Sequence, residues 1–191
     1  GSQQHGHIVD VGFEMYCKLL EEAVEELKTG QPVEIVPEPI LEIQVEAYLP
    51  DNYINDAMHK IEIYQRFASA RNEDQIRELT DELIDRFGDS PQPVLNLLTV
   101  ARIRNIARQI GVNSVIEHPG RVDIVFSDNP KVAIDSVLQL QKQFPARIMI
   151  KSGPPEMIQY KTLRLTNPIL DHLLKVFNVL KVRTDASEVR S

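Results

Sequence analysis

The stretch from Asn72 to Gly88 carries the signals of one complete short helix, and it constrains the fold more than any other part of the chain. Asn72 is suited to cap the first turn through its side-chain oxygen, and Gln75 occupies the third helical position, as in a capping box. Gly88 stands where a left-handed residue at the C′ position ends a helix. Apolar residues recur at steps of three and four and predict one buried stripe, made of Ile76, Leu79, Leu83 and Phe87.

Three charged residues project away from that stripe. Glu82, Asp85 and Arg86 are spaced i, i+3 and i+4, so we expect them to form one compact patch on the helix surface. Ser90 and Pro91 follow at once and predict a second helix, with Ser90 as its cap and Pro91 at its first position. Two helices joined by so short a turn would hold the patch rigid, and this favours a role in recognition.

Composition and cysteine content narrow the class of protein. The chain has 191 residues, enough for one ordinary core or for one domain with an appendage. No apolar run approaches the roughly 20 residues needed to span a membrane, and no signal segment is recognisable. Cys17 is the only cysteine, which excludes an internal disulfide and fits a cytoplasmic location. We therefore expect no contact with a membrane.

Charge is distributed unevenly around the net value of −7. The net charge is −8 over residues 1–50, −5 over residues 51–100 and +6 over residues 101–191. The basic C-terminal half raises an alternative function, a module that contacts DNA or RNA polymerase directly. Its basic residues are spread thinly, without the interleaved aromatic residues that stack on bases, so a solvated surface of mixed charge is favoured.

The N-terminal part has a different organisation from the rest. An amphipathic helix is predicted from about Val9 to Lys28, ended by Gly30. Proline-rich residues 31–41 predict an extended linker, and the alternation in Ile43–Leu49 predicts a strand. We therefore predict a division into residues 1–41, a helix and linker, and residues 42–191, a second domain.

Helices come first in that second domain and short strands follow. We predict a helix from Asn55 to Ala70 with Ile61, Tyr64 and Phe67 along one side and Met58 nearby. A longer helix is expected from Pro91 to Ile110, ended by Gly111. Its inward positions are predicted to be Leu95, Leu98, Ile103, Ile106 and Ile110. Strands are predicted at Ser114–His118, Arg121–Phe126, Ala146–Lys151 and Met157–Leu165, with a hairpin turn at Pro119-Gly120. Asn129-Pro130 and Asn167-Pro168 predict two more helix starts. This order predicts an α+β fold.

A search for catalytic or metal-binding groups is negative. No phosphate-cradling G-x-x-x-x-G-K-[ST] or G-x-G-x-x-G motif occurs. His5 and His7 lie near a terminus without further ligands, and a bystander role is favoured for both. Cys17 is better explained as a packed thiol than as a nucleophile, and the solitary His59, His118 and His172 as surface or turn residues. Asp81, Glu82 and Asp85 could resemble a carboxylate site, but with Arg86 on the same helix a surface ion-pair cluster is favoured. We expect no catalytic residue, metal or cofactor in this chain.

A further cluster of basic residues lies on the long helix. Arg104 and Arg108 are spaced i and i+4, so together they could grip a carboxylate or a phosphate, with Arg102 close by. The favoured interpretation is a solvated helix side with partners on the same helix.

The order of several short segments resembles one family, and the resemblance covers essentially the whole chain. The Asn72–Gly88 helix, with the Tyr64–Ala70 run before it, resembles the C-terminal domain of the bacterial transcription-repair coupling factors, DNA translocases called Mfd. Gln3–Ile8 and Val11–Tyr16 resemble the end of the translocation motif and the helix after it. Leu49–Ile54 resembles the opening of the C-terminal domain.

The resemblance implies a regulatory role. In this family the C-terminal domain folds back on an N-terminal module that is similar to a repair helicase, and it hides the site that recruits the damage-recognition ATPase UvrA until stalled RNA polymerase is engaged. The Glu-x-x-Asp-Arg of the family's interface helix matches Glu82, Asp85 and Arg86, which we therefore predict to form an interdomain interface. ATP, Mg²⁺ and DNA would bind the motor of the parent protein, outside this chain.

Overall fold

A computed structural model of the chain describes residue 24 and residues 27–30 and 37–181. Its helices and strands confirm the predicted α+β class. The five helices of residues 37–181 are α1 Ala57–Ser69, α2 Glu73–Phe87, α3 Gln92–Ile110, α4 Ile134–Gln143 and α5 Ile169–Leu180. The five strands are β1 Ile40–Glu42, β2 Val112–His118, β3 Arg121–Phe126, β4 Ile148–Lys151 and β5 Met157–Lys161. They form two compact units, one containing residues 42–105 and the other residues 38–41 and 106–181.

Helix α1 begins after Asp56, whose carboxylate accepts a hydrogen bond from the backbone N–H of His59 at 2.9 Å. Its buried residues are Ile63, Phe67 and, just beyond the helix, Ala70. Of the predicted side, Phe67 is buried but Ile61 is 40% exposed, and Met58, which was predicted to lie nearby, is 71% exposed. Three residues turn only about 300° around a helix, so residues spaced by three throughout move progressively away from the buried face. Residues spaced alternately by four and three remain on that face.

Helix α2 has both predicted ends and three buried positions of the predicted stripe, but Gly88 does not adopt the left-handed helical conformation that the sequence predicts. The backbone N–H of Gln75 donates to the Asn72 side chain at 2.9 Å, and the Gln75 side chain accepts from the N–H of Arg71, one residue before the position expected for a capping box. Gly88 has φ +85° and ψ −168°, a combination that almost no other residue type adopts. The stripe is buried at three positions, Ile76, Leu79 and Leu83.

Helix α3 begins one residue later than predicted. The N–H of Leu95 donates to the carbonyl oxygen of Pro91 at 3.1 Å, so Pro91 takes the capping position and Gln92 is the first helical residue. Leu95 is 43% exposed, contrary to the prediction, while the other predicted positions are buried, as are Val94, Leu97, Val100, Ala101 and Ala107. Gly111 follows with φ +77°, confirming the predicted end.

Residues 43–49 are not a strand, so that prediction was wrong. The N–H of Val45 donates to the carbonyl oxygen of Ile43 at 3.0 Å, a tight local turn. The carbonyl oxygen of Glu46 accepts from the Asn96 side chain at 2.8 Å. The alternation nevertheless reports burial correctly, since the segment buries Ile43, Ala47 and Leu49. A three-residue strand, β1, begins instead in the last two residues of the predicted linker and ends at Glu42.

The five strands form one sheet in the order β1-β2-β3-β5-β4. The β2–β3 and β3–β5 pairs are antiparallel, as is the β4–β5 pair. His118 pairs with Arg121 across the predicted two-residue turn, where Gly120 has φ +81°. One face of the sheet is apolar and buries Val115, Val122, Ile124, Ile158 and Tyr160. The ring of Tyr160 on this face packs edge-on against Phe144, which directly follows α4, at 5.6 Å between centroids.

Two predicted helix starts differ from the structure to different extents. Helix α4 begins at Ile134 after Ala133, four residues beyond Pro130, so the Asn129-Pro130 prediction placed its start too early. Pro168 directly precedes Ile169, the first residue of α5, so that start was correct to within one residue. Neither Ala133 nor Pro168 makes a side-chain capping hydrogen bond. A proline therefore marks the approach to a helix better than its first residue.

Most of the predicted N-terminal helix, with Cys17, His5 and His7, lies outside the described residues. The described part of that segment is helical at residue 24 and at residues 27–29, and Gly30 has φ +66°. Val24 and Leu27, two residues of its predicted apolar stripe, are 46% and 87% exposed. Residues 184–191, for which the sequence predicts a frayed chain end, also lie outside the described part.

Candidate interaction surface

Ion pairs between α1 and α2 organise the predicted patch. Arg86 lies 3.4 Å from Glu82, one turn earlier on the same helix, and 3.2 Å from Glu62 on α1. Arg66, one turn after Glu62 on α1, contacts the Glu82 carboxylate. Each helix thus contributes one acid and one base at i and i+4, and the two pairs cross-link the helices. We call Glu62, Arg66, Glu82 and Arg86 the α1–α2 network.

Asp85 is the member of the predicted patch that stays outside this network. It is exposed, and it has no hydrogen bond or ion pair to any other part of the chain that the structure describes. Arg86, by contrast, is held by two carboxylates, and its guanidinium carbon lies 4.9 Å from the ring centroid of Phe87. The three predicted residues therefore differ in their contacts. Glu82 and Arg86 form ion pairs within the chain, whereas the charge of Asp85 has no partner among the described residues.

Tyr53 fixes the end of α2 beside the patch. Its hydroxyl lies 3.1 Å from the carbonyl oxygen of Leu83, 2.9 Å from that of Gly88 and 3.3 Å from the hydroxyl of Ser90. Its ring lies 5.9 Å from that of Phe87. One side chain thus contacts both the last turn of α2 and the connection to α3. The hydroxyl donates to one carbonyl at a time and can accept a hydrogen bond from Ser90. It therefore links α2 to the residues that connect α2 with α3.

The three arginines of α3 all have distant partners, so the predicted solvated helix side was wrong. Arg102 lies 2.9 Å from the Glu73 carboxylate, and Arg108 lies 3.3 Å from that of Glu38. Arg104 is 7% exposed and donates to the carbonyl oxygen of Phe67 at 2.8 Å. These side chains serve the packing of the chain itself. They do not present a joint grip for a phosphate or carboxylate ligand.

His118 and His172 both contact other residues of the unit that contains residues 106–181. His172 Nδ1 lies 2.6 Å from the Tyr160 hydroxyl. Burial lowers the pKa of His172, with smaller contributions from Arg147 and Lys175, and burial raises the pKa of Tyr160. His118 contacts the carboxylate of the buried Asp123 at 3.2 Å. Tyr160 and Asp123 are both buried, so these two contacts belong to the packing of the chain itself.

The described residues contain no group of three or more His, Cys, Asp or Glu side chains arranged to hold a metal ion. None of their helices is long and apolar enough to cross a membrane. The arrangement on α1 and α2 instead combines fixed ion pairs with exposed carboxylates that have no partner among the described residues, Asp85 beside the network and Asp81 one turn before it. Such a surface can meet complementary charges on another protein surface and fix the register of the contact.

Sequence reasoning did not identify Glu62, Arg66 or Tyr53 as parts of this surface. The acid and base at i and i+4 on α1 mirror those on α2, and this repeated spacing is the signal that was available. The pairing between the helices depends on how they pack. Tyr53 lies in the Leu49–Ile54 segment, but nothing local marks its contacts with residues 30 to 37 positions later.

Comparisons with known proteins agree on one family. Residues 43–137 match the TRCF domain family. The chain is 37% identical to a transcription-repair-coupling factor of Bacillus subtilis over 150 residues, which cover 78% of this chain and 13% of the relative. It is also 37% identical to that of Staphylococcus aureus strain USA300 over 175 residues, covering 91% and 15%. The chain thus spans about one seventh of the length of these relatives.

A solved structure gives the same result for the fold. The structure is similar to a crystal structure of the C-terminal domain of transcription-repair coupling factor, with a TM-score of 0.67 and 28% sequence identity. The match covers 75% of this chain and 92% of that one. Sequence and fold comparisons therefore lead to the same family.

Proposed function

We propose that this chain, which carries a TRCF domain of the transcription-repair coupling factors, is a non-catalytic regulatory domain of such a factor. In this proposal it folds back on the N-terminal repair-helicase-like module of the same protein through Glu82, Asp85 and Arg86. The contact masks the site that recruits the damage-recognition ATPase UvrA and restrains the ATPase and translocase activity. ATP, Mg²⁺ and DNA bind parts of the factor outside this chain, and RNA polymerase acts on it indirectly.

The observation that carries the proposal is the state of the patch. Asp85 keeps its charge free on a surface whose other members are fixed by the α1–α2 network. A carboxylate on a rigid frame loses little conformational entropy when it pairs with a cation of a partner. The ion pairs of the network are about one third to one half exposed, so they set geometry more than they add stability. Fixed geometry and modest energy suit a contact that forms and opens repeatedly.

A reversible lock needs a closed state that is favoured only modestly. A preference of about 3 kcal/mol leaves less than 1% of the molecules open, and a partner that binds only the open form can still release it. Interfaces between domains of one chain are small and polar enough to open in this way. A few charged contacts around Asp85 supply energy on this scale, because close ion pairs across an interface couple by about 1.5 kcal/mol or more.

The test is capture of UvrA by the full-length coupling factor. Full-length protein with Glu82, Asp85 and Arg86 all changed to Ala should capture at least tenfold more UvrA than the unmutated protein. The matched control changes Asp74, Arg77 and Glu78 to Ala, which removes two acids and one arginine from the exposed face of the same helix.

Two results would refute the lock at this patch. One is equal, weak capture by the unmutated protein and the patch variant while the variant remains folded. The other is equal release by the patch and control variants, because this would show that any loss of charge on α2 opens the protein. The basic C-terminal half would then be tested against DNA and RNA polymerase.

A further inference from the structure

The face of the sheet that points away from Tyr160 is polar and carries its residues in rows. The strand register places His118, Arg121 and Lys161 directly opposite one another on β2, β3 and β5. The next row contains Asp123, Gln159 and Met149, and the row after it contains Met157 and Lys151. Successive side chains on a strand alternate between faces, so all these residues share one face.

Some of the basic side chains on this face have a carboxylate partner and others have none among the described residues. Like charges directly opposite each other destabilise a sheet. Arg121 and His118 are compensated by the 8% exposed Asp123, whose carboxylate lies 3.0 Å from Arg121 and 3.2 Å from His118 and also accepts from Gln159 at 2.9 Å. The ammonium groups of Lys151 and Lys161 are exposed and have no hydrogen bond or ion pair to any of residues 37–181. The β4–β5 side of the face therefore carries uncompensated positive charge.

Apolar side chains lie between those two lysines. Met149 is 43% exposed, and Met157 is half-buried in the row beside Lys151. Methionine is flexible and polarizable and suits surfaces that receive varied apolar groups. Among the described strands, this face carries no Phe, Tyr or Trp side chain on which bases would stack, so the combination favours a protein ligand over a single-stranded nucleic acid.

The backbone at this side is also available. Among the strands that the structure describes, β4 is the last of the sheet and pairs with β5 alone. The N–H of Lys161 donates to the carbonyl oxygen of Arg147 at 2.8 Å, and inward and outward hydrogen bonding alternate along an antiparallel strand. The N–H and C=O groups of Ile148 and Ile150 therefore point outward, and the Ile150 side chain is 42% exposed. An exposed edge of this kind accepts an added strand.

We propose that β4 and the Lys151–Lys161 face form a docking site for an extended acidic segment of a protein partner. The segment adds as a strand to the free edge of β4 through the backbone of Ile148 and Ile150. Its acidic side chains lie on one face and pair with Lys151 and Lys161, and the apolar side chains that alternate with them lie on the other face beside Ile150. This site is separate from Glu82, Asp85 and Arg86 and does not depend on the regulatory role proposed above.

The test uses this chain and a fluorescein-labelled ten-residue peptide of alternating Glu and Val, with fluorescence anisotropy as the readout. We expect binding that the double variant K151E/K161E weakens at least tenfold. A matched double variant, K142E/K175E, reverses two exposed lysines on α4 and α5 and should bind as the unmutated chain does. Ile150→Pro removes one outward N–H and should weaken binding several-fold, and edge positions of this kind tolerate proline.

Further measurements identify the occupant. Amide chemical shifts in ¹⁵N–¹H spectra should change at Ile148 and Ile150 of the unmutated chain on addition of the Glu–Val peptide. The spectrum of each variant without peptide shows whether that variant is folded. A Lys–Val peptide should not bind. The proposal is overturned if the Glu–Val peptide fails to bind at 1 mM, or if K142E/K175E weakens it as much as K151E/K161E. Binding of a 20-base-pair DNA duplex that only K151E/K161E abolishes, without peptide binding, would overturn it in favour of a nucleic-acid surface.

Discussion

The guanidinium group of Arg86 lies 3.2 Å from the carboxylate of Glu62, and this ion pair joins α2 to the helix before it. With the Arg66–Glu82 contact it makes a two-rung ladder between the helices. Asp85 stands beside the ladder without joining it. The ion pairs of this surface are thus formed within the chain, and the exposed carboxylate of Asp85 beside them has no partner among the described residues.

The ladder should contribute little to stability. We expect a double-mutant cycle with Glu62→Gln and Arg86→Gln to give a coupling free energy below about 1 kcal/mol, because the two side chains are 47% and 30% exposed. The coupling should fall as salt is raised from 0.05 to 0.5 M, since exposed charges are screened. Urea unfolding of the four proteins measures it, with the more exposed Asp74–Arg77 pair as the comparison. A coupling above 2 kcal/mol would contradict this account.

Removal of the Tyr53 hydroxyl should loosen the end of α2. Tyr53→Phe keeps the ring next to Phe87 but leaves the carbonyl groups of Leu83 and Gly88 without this donor. We expect a loss of about 1 kcal/mol and faster amide hydrogen exchange between residues 84 and 91. Exchange in β2 and β3 serves as the internal control. Unchanged exchange around Gly88 would show that the hydroxyl does not hold the turn.

Two glycines should respond differently to alanine. Gly88→Ala meets no atom within 4 Å, so its cost is the backbone conformation alone, about 1–3 kcal/mol. Gly111→Ala places a Cβ 3.1 Å from the Asn129 carbonyl oxygen in addition to a φ of +77°, and we expect a larger loss. Chemical denaturation of both variants provides the comparison. A larger loss for Gly88→Ala would show that the contact with Asn129 relaxes freely.

Acid should weaken the second unit through His172. Burial lowers the pKa of this histidine in the folded protein, so the unfolded chain binds the proton more readily. Its contribution to stability is therefore complete above the unfolded pKa of about 6.5 and is lost as the pH falls through and below that value. We expect the Tm difference between pH 7.5 and pH 5.5 to shrink in His172→Gln. An unchanged difference would assign the acid sensitivity to other groups.

Local signals in the sequence were sufficient for α2, because its cap, its stripe and its terminal glycine all lie within seventeen residues. The β2–β3 hairpin was predictable for the same reason. Residues 43–49 show where such signals fail: alternation reports which side chains are buried, but a strand also needs a neighbouring strand. The backbone there bonds to Asn96 and Tyr64 side chains instead.

Contacts between elements were the part that sequence patterns did not reveal. Arg102 and Arg108 pair with acids that lie 29 and 70 positions away, and no local spacing distinguishes such partners from solvent. The same limit applies to the candidate site. The positions of Glu82, Asp85 and Arg86 on one exposed stretch of helix were predicted. Which of them form ion pairs depends on the packing of α1 against α2.

The most direct test of the central claim is the affinity of this chain for the N-terminal repair-helicase-like module, produced as a separate protein and titrated by NMR at low salt. Domains of one chain meet at effective concentrations near 1 mM, so a Kd at or below about 1 mM suffices for a lock. We predict such a Kd for the unmutated chain and for the Asp74/Arg77/Glu78 control, with at least tenfold weakening by Asp85→Ala. Equal affinity of the unmutated chain and Asp85→Ala, or no binding at 1 mM, would contradict the account.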